Sequence, residues 1–206
     1  MSKKSGKSDP SARIVDAALE LAAERGWRQI GLADIAAAAG MSLAELYRVH
    51  RSKGAVLDAF RRSVDERVLA GIDGGDETES PRDRLFDVLM RRFDVLKPHR
   101  AAIAALMRDG SRDPLAVVGT LCSLSRSMSW MLEAAGISTA GPLGRLRAQG
   151  LAAIWLGTLP TWVRDDSEDL ARTMAALDRN LKRAESLVKI LPRWPGRASH
   201  ETPEAA

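Results

Sequence analysis

The sequence predicts an all-α protein, with a small N-terminal head that carries a helix-turn-helix and a larger helical bundle behind it. Three observations predict this. Strand formers are scarce while Ala, Leu and Arg dominate, and 45% of the 206 residues are apolar, enough for a substantial core. Apolar residues recur three and four apart in long stretches, most of them opened by a cap or closed by Gly or Pro. The stretch LADIAAAAGMSLAELYRVHR, Leu32 to Arg51, reads as helix, tight turn, helix.

The elements follow in order. Asp9 or Ser11 caps a first helix with Pro10 in its first turn, where a missing N–H costs nothing. Its buried stripe is Ile14, Val15, Ala18, Leu19, Leu21 and Ala22, and Gly26 ends it. Leu32, Ile35, Ala36 and Ala39 give the next helix one buried face, and Gly40 stands where a left-handed residue is wanted. Ser42 then caps a third helix, with Glu45 completing a capping box. Leu46 and Val49 or His50 face inward; Leu43, Glu45, Arg48 and Arg51 face out. Such a second helix is shaped to enter a DNA major groove; an alanine-rich hairpin without a ligand is the alternative reading. A fourth helix opens near Ser52 and carries Val56, Leu57, Phe60, Val64 and Val68.

Residues 73–80 (DGGDETES) form an acidic linker. Ser80-Pro81 opens a helix with Leu85, Leu89, Phe93 and Leu96 on one face, which Pro98 closes. A shorter helix spans Arg100 to Met107, and Asp113-Pro114 starts one that runs toward Ala135. Residues 136–144 make the next break, before an apolar helix through Val163. Asp165, Asp166, Glu168 and Asp169 surround Ser167 at the predicted start of the last helix, where negative charge suits the helix dipole. Leu170, Met174, Leu177, Leu181, Ala184, Val188 and Leu191 form its heptad seam, and Pro192 stops it. The predicted divisions are therefore a basic tail (1–10), a head (11–70), a bundle (80–191) and a C-terminal tail (192–206).

Charge and composition narrow the function. The net charge is +4, and most of the excess is N-terminal: residues 1–70 hold 12 Lys/Arg against 9 Asp/Glu, residues 71–206 hold 19 against 18. That suits a polyanion partner and equally suits a plain soluble protein. Cys122 is the only cysteine, so a disulfide within the chain is impossible and a reducing, cytoplasmic setting fits. There is no signal-peptide pattern and no membrane-spanning run. His50, His99 and His200 are isolated, and nucleotide-binding glycine patterns are missing. The acidic cluster at 165–169 is read as a dipole complement rather than a metal site. No enzyme, metal or cofactor is expected.

The head resembles the TetR family of transcriptional regulators. The matching residues are IVDAALELAAERGW (Ile14 to Trp27), LADIAAAAGMS (Leu32 to Ser42), LYR (Leu46 to Arg48), Ser52-Lys53 and VLDAF (Val56 to Phe60). The resemblance implies a homodimer that binds a palindromic double-stranded DNA operator and releases it when a small apolar effector fills the bundle. It assigns DNA binding to Ser42, Leu43, Glu45, Tyr47, Arg48, Arg51 and Lys53, together with Arg28. The family's usual Lys-Gly-Thr-Leu-Tyr-x-His-Phe is here Leu43-Ala44-Glu45-Leu46-Tyr47-Arg48-Val49-His50, which loses a cation and gains a carboxylate. Glu45 is available either to a cytosine amine or to its capping box.

An effector cavity, also implied by the resemblance, would be lined by Met90, Phe93, Met107, Leu121, Met128, Met131 and Trp155, with Cys122 and Trp130 beside them; ordinary core is the alternative. The dimer seam would run through Ile154, Leu159, Trp162, Leu170, Met174, Leu177 and Leu181. The Leu43-to-Tyr47 variant and the C-terminal Trp162…Asp165-Asp166-Ser167…Thr173…Leu177-Asp178-Arg179 are also similar to a TetR-fold lipid-binding family of ubiquinone biosynthesis, which implies an isoprenoid carrier without sequence-specific DNA binding.

Overall fold

A computed structural model describes residues 9–72, 79–110 and 114–190, apart from the side chains of 114–120 and 187–190. Among the described residues there are nine α-helices and no strand. The first four are α1 (Pro10–Arg25), α2 (Leu32–Ala38), α3 (Leu43–Val49) and α4 (Lys53–Ala70). The bundle holds α5 (Pro81–Leu96), α6 (Arg100–Gly110), α7 (Pro114–Ala134), α8 (Gly141–Val163) and α9 (Ala171–Ile190). Short 3₁₀ turns join α1 to α2 (Trp27–Gln29) and α5 to α6 (Lys97–His99). The predicted tails at 1–8 and 192–206, and the caps or stops at Asp113, Leu191 and Pro192, lie outside the described residues.

Most boundaries follow from the caps. Asp9 accepts from the Ser11 N–H, Ser52 from the Ala55 N–H and Ser80 from the Asp83 N–H, each supplying an acceptor to a helix end that has none of its own. Two starts differ from expectation. Helix α8 begins at Gly141, inside the predicted break, because Pro142 fits a first turn and Gly144 lets that turn lie against Thr139. A Cβ at Gly144 would sit 1.9 Å from the Thr139 carbonyl oxygen, so only glycine fits there.

Helix α9 begins at Ala171 rather than Ser167. Within the acidic cluster before it, Asp169 accepts from the Ala171 N–H at the helix start (3.2 Å), while Asp165 turns inward. Asp165 is fully buried, and its carboxylate accepts from the Ser167 N–H (3.3 Å) and hydroxyl (2.5 Å) and from the Thr173 N–H (2.8 Å) and hydroxyl (2.6 Å). Burial pushes this carboxyl up, but the bonds from Ser167 and Thr173 outweigh it and hold the pKa at about 2. The Arg100 guanidinium donates to the Asp165 carbonyl at 2.7 Å, tying the corner to α6. Leu170 takes a φ of +55° to let the chain turn into α9.

The bundle closes around aromatics. Phe93 stacks on Trp155 (4.1 Å between centroids) and on Trp162 (5.6 Å). Helix α8 packs between α7 and α9, and this arrangement corrects the predicted dimer seam. Leu159, Trp162, Leu170, Leu177 and Leu181 are all buried within the one chain, so they are not free to meet a second copy. Heptad spacing states that a face is covered, not by what. Ile154 is half-buried, and Met174 is exposed beside α5.

Candidate nucleic-acid interface

The turn between α2 and α3 is built from backbone bonds. Gly40 takes a φ of +64°; its N–H donates to the Ala37 carbonyl at 3.1 Å, and the Met41 N–H to the Ala36 carbonyl at 3.0 Å. That pair of bonds is a Schellman ending. Arg13 of α1 donates to the Ala39 carbonyl and, at 3.3 Å, to that of Gly40, so the turn is held to the first helix. The capping box forms as read: the Ser42 hydroxyl accepts from the Glu45 N–H at 3.2 Å, and the Glu45 carboxylate accepts from the Ser42 N–H at 2.7 Å. The same carboxylate oxygen also takes the Ser42 hydroxyl at 2.7 Å. The Ser42 bonds, first from its N–H, lower the Glu45 pKa.

Helix α3 is anchored from beneath by two residues. Leu46 is fully buried, and His50 is buried with its Nε2 2.9 Å from the Ser11 hydroxyl of α1. Val49, the alternative inward residue, is exposed. Burial, then the nearby Arg62, lowers the His50 pKa. Everything else on α3 is exposed: Leu43, Ala44, Glu45, Tyr47, Arg48 and Val49. Arg51 follows, its guanidinium 6.0 Å from the centre of the Tyr47 ring.

One predicted DNA contact is placed differently, and a second is exposed with its backbone engaged. Lys53 does not reach outward: its ammonium donates to the carbonyls of Trp27 (2.5 Å) and Ile30 (2.7 Å) and lies 4.5 Å from the centre of the Trp27 ring. It clamps α4 onto the α1–α2 turn, where burial lowers its pKa. Arg28 is exposed, but its N–H donates to Asp109 of α6 at 2.9 Å, so its backbone is a joint between head and bundle. Ser42, Tyr47, Arg48 and Arg51 remain on the open surface.

Sequence reasoning missed how the head is coupled to the bundle. Asp58 and Asp65, seven apart on α4, accept from Ser123 (2.7 Å) and Ser127 (2.5 Å) of α7. Asp65 also pairs with Arg92 of α5, which is buried under Trp155. His99 meets Phe60 of α4 edge-on at 5.2 Å. Polar residues scattered along amphipathic helices gave no sign of these partners.

The predicted effector-pocket residues separate into three groups. Phe93, Met128, Met131 and Trp155 are buried and mutually packed, while Met90 and Met107 are half-buried against that core. Cys122 and Trp130 are exposed on the outward side of α7 and do not line an interior, while Leu121, 37% exposed, lies on the helix's inward side one turn before the buried Leu124. A groove of about 570 Å³ lies instead between α5 and α9, lined by Arg82, Phe86, Met174 and Asp178 among others. Among the described residues no three of His, Cys, Asp or Glu converge on a metal position, and no helix is long and apolar enough to cross a membrane.

Comparison with known proteins agrees with this geometry. Residues 14–60 match the profile of bacterial regulatory proteins of the tetR family. The chain is similar to a TetR transcriptional regulator from Nitrosomonas europaea (29% identity, 87% of this chain and 99% of that one, TM-score 0.68). It is also similar to one from Rhodococcus sp. RHA1 (25% identity, 84% and 95%, TM-score 0.60). The regulator FadR from Bacillus subtilis, solved with stearoyl-CoA, shares the fold at 22% identity (82% and 97%, TM-score 0.52). No curated protein matches the chain at a significant level. Residues 14–60 thus match the N-terminal domain of bacterial regulatory proteins of the tetR family, on a chain with the fold of TetR-family transcriptional regulators.

Proposed function

We propose that this protein is a homodimeric repressor, which holds a palindromic operator in adjacent major grooves and lets go when an apolar small molecule binds its bundle. The observation that carries the reading is helix α3, anchored by Leu46 and His50 and otherwise bare. Phosphate contacts position such a helix and base edges specify its register. The bundle reaches the head through α4, by Asp58 and Asp65, and through α6, by Asp109. An effector that favours one spacing of α4 against α7 thereby changes DNA affinity, by as much as its preference between the two states. That FadR holds an acyl-CoA on the same fold supports an apolar effector.

The dimer surface is assigned to the outer line of α8. Leu143, Leu146, Gly150, Ala153, Gly157 and Pro160 recur three and four apart and are all exposed. Leucines at one end and small residues along the rest let a two-fold mate approach closely. Replacing Ala153 with Arg is expected to give monomers in sedimentation; a dimer that survives removes this surface.

Selection from random duplex DNA at two salt concentrations tests the whole reading. Enrichment of a palindrome, with half-sites a whole number of helical turns apart, supports it. Weak, sequence-indifferent binding overturns it, and the bundle would then be extracted for bound isoprenoid lipid.

A further inference from the structure

Helix α3 is unusual in what it exposes. Leu43 is 51% exposed and Tyr47 60% exposed, among the largest values for big apolar side chains in the described chain. Single exposed leucines are ordinary on protein surfaces. Here two such side chains stand four apart on a seven-residue helix, and residues at that spacing are neighbours on one flank. At 3.6 residues per turn, Ala44 and Arg48 occupy the outermost line and Glu45 lies on the far side.

The polar side chains nearby are largely engaged. One Glu45 carboxylate oxygen is taken by the Ser42 N–H and hydroxyl at 2.7 Å each, which folds the acid back onto the start of its own helix instead of toward a cytosine amine. The Lys53 ammonium is taken by two carbonyls. Phosphate attraction from this surface is therefore modest, and an extra carboxylate lowers it further. Discrimination then falls to what the exposed flank itself offers. The major groove presents one apolar group, the C5-methyl of thymine.

We infer that Leu43 and Tyr47, with Ala44 beside them, read thymine methyl groups, so that each operator half-site contains thymine at a fixed position under this flank. The inference rests on the repressor reading above and names what its recognition helix recognises. Arg48, on the outermost line and beside Glu45, whose carboxylate is held by Ser42, supplies the polar contact at a neighbouring base pair or phosphate. The Glu45 carboxylate acts by exclusion: it keeps non-specific binding low, so that methyl contacts decide the site.

The test uses the full-length protein and the palindrome obtained by selection. Deoxyuridine replaces thymidine one position at a time, which deletes a methyl and leaves every hydrogen-bonding edge intact. Affinity is measured for the native protein and for Leu43→Ala. At the position under Leu43, loss of the methyl is expected to weaken native binding about fourfold per half-site and to leave Leu43→Ala unaffected. If no thymine is sensitive, or if every sensitive thymine costs the native protein and Leu43→Ala equally, Leu43 is not a methyl reader and the inference falls while the repressor reading stands. Failure to select any palindrome removes the repressor reading, and the inference with it. Leu43 is exposed and outside the core, so its truncation leaves the head folded; the circular dichroism melt of Leu43→Ala checks this directly.

Discussion

The head and the bundle of this protein solve opposite problems with the same element. In the head, α3 buries Leu46 and His50 and leaves its remaining surface bare, so its chemistry points outward. In the bundle, α8 and α9 bury Trp155, Trp162 and Leu177, Leu170 is buried in the corner between them, and the buried Asp165 and Thr173 are turned inward and bonded to each other. A seven-residue helix can be mostly exposed because its ends are capped and α1 holds its turn through Arg13. The bundle satisfies Asp165 and Thr173 within itself, while its buried Arg92 takes its partner, Asp65, from α4. The difference shows where mutations register: outward residues of the head change binding, and polar residues of the bundle change folding.

That contrast is broken most severely at the buried ion pair. Replacing Asp65 with Ala removes the partner of a buried guanidinium and is expected to cost about 3–5 kcal/mol in denaturant unfolding. Replacing both Asp65 and Arg92 with apolar residues should recover much of that loss. If the single change costs less than about 1 kcal/mol, α4 is not locked to the bundle through this pair.

The next effect belongs to Asp165. Asp165→Asn is expected to destabilise by about 2–3 kcal/mol, since the amide accepts fewer of the four bonds. The native carboxyl titrates near 2, below its ordinary value of 3.8, so its contribution is complete above about pH 4 and is lost as pH falls toward 2. Unfolding followed from pH 5 to pH 2 should show a steeper acid loss in the native protein than in Asp165→Asn. Parallel curves would remove this corner as a stabilising element.

The smallest effects sharpen the comparison inside the head. Arg48→Ala should lower the salt slope of DNA binding by about 1 if it meets a phosphate, with the melting temperature unchanged. Lys53→Met should do the reverse: lower the melting temperature by releasing Trp27 and Ile30, and leave the salt slope unchanged. A Lys53→Met protein that melts normally but has a reduced salt slope would return Lys53 to the DNA surface.

Local chemistry along the chain was sufficient for the helices and for the head. Asp9, Ser42, Ser52 and Ser80 cap through atoms two or three residues away, and Gly40 ends its helix through its own φ, so these signals are complete within a short stretch. The helix-turn-helix could be read for the same reason. What depends on a distant partner was decided only by the tertiary structure. Leu177 and Leu181 have the spacing of a seam whether a sister helix or a second chain covers them, and the fold supplies the sister helix. Lys53 is a cation beside a recognition helix in sequence, yet two carbonyls of the α1–α2 turn claim it. Asp165 reads as one of four acids before a helix until Thr173, eight residues on, comes round to donate to it. Spacing along a chain states which face an element turns inward; only packing states which groups meet there, because a hydrogen bond or an ion pair requires both partners at the same place.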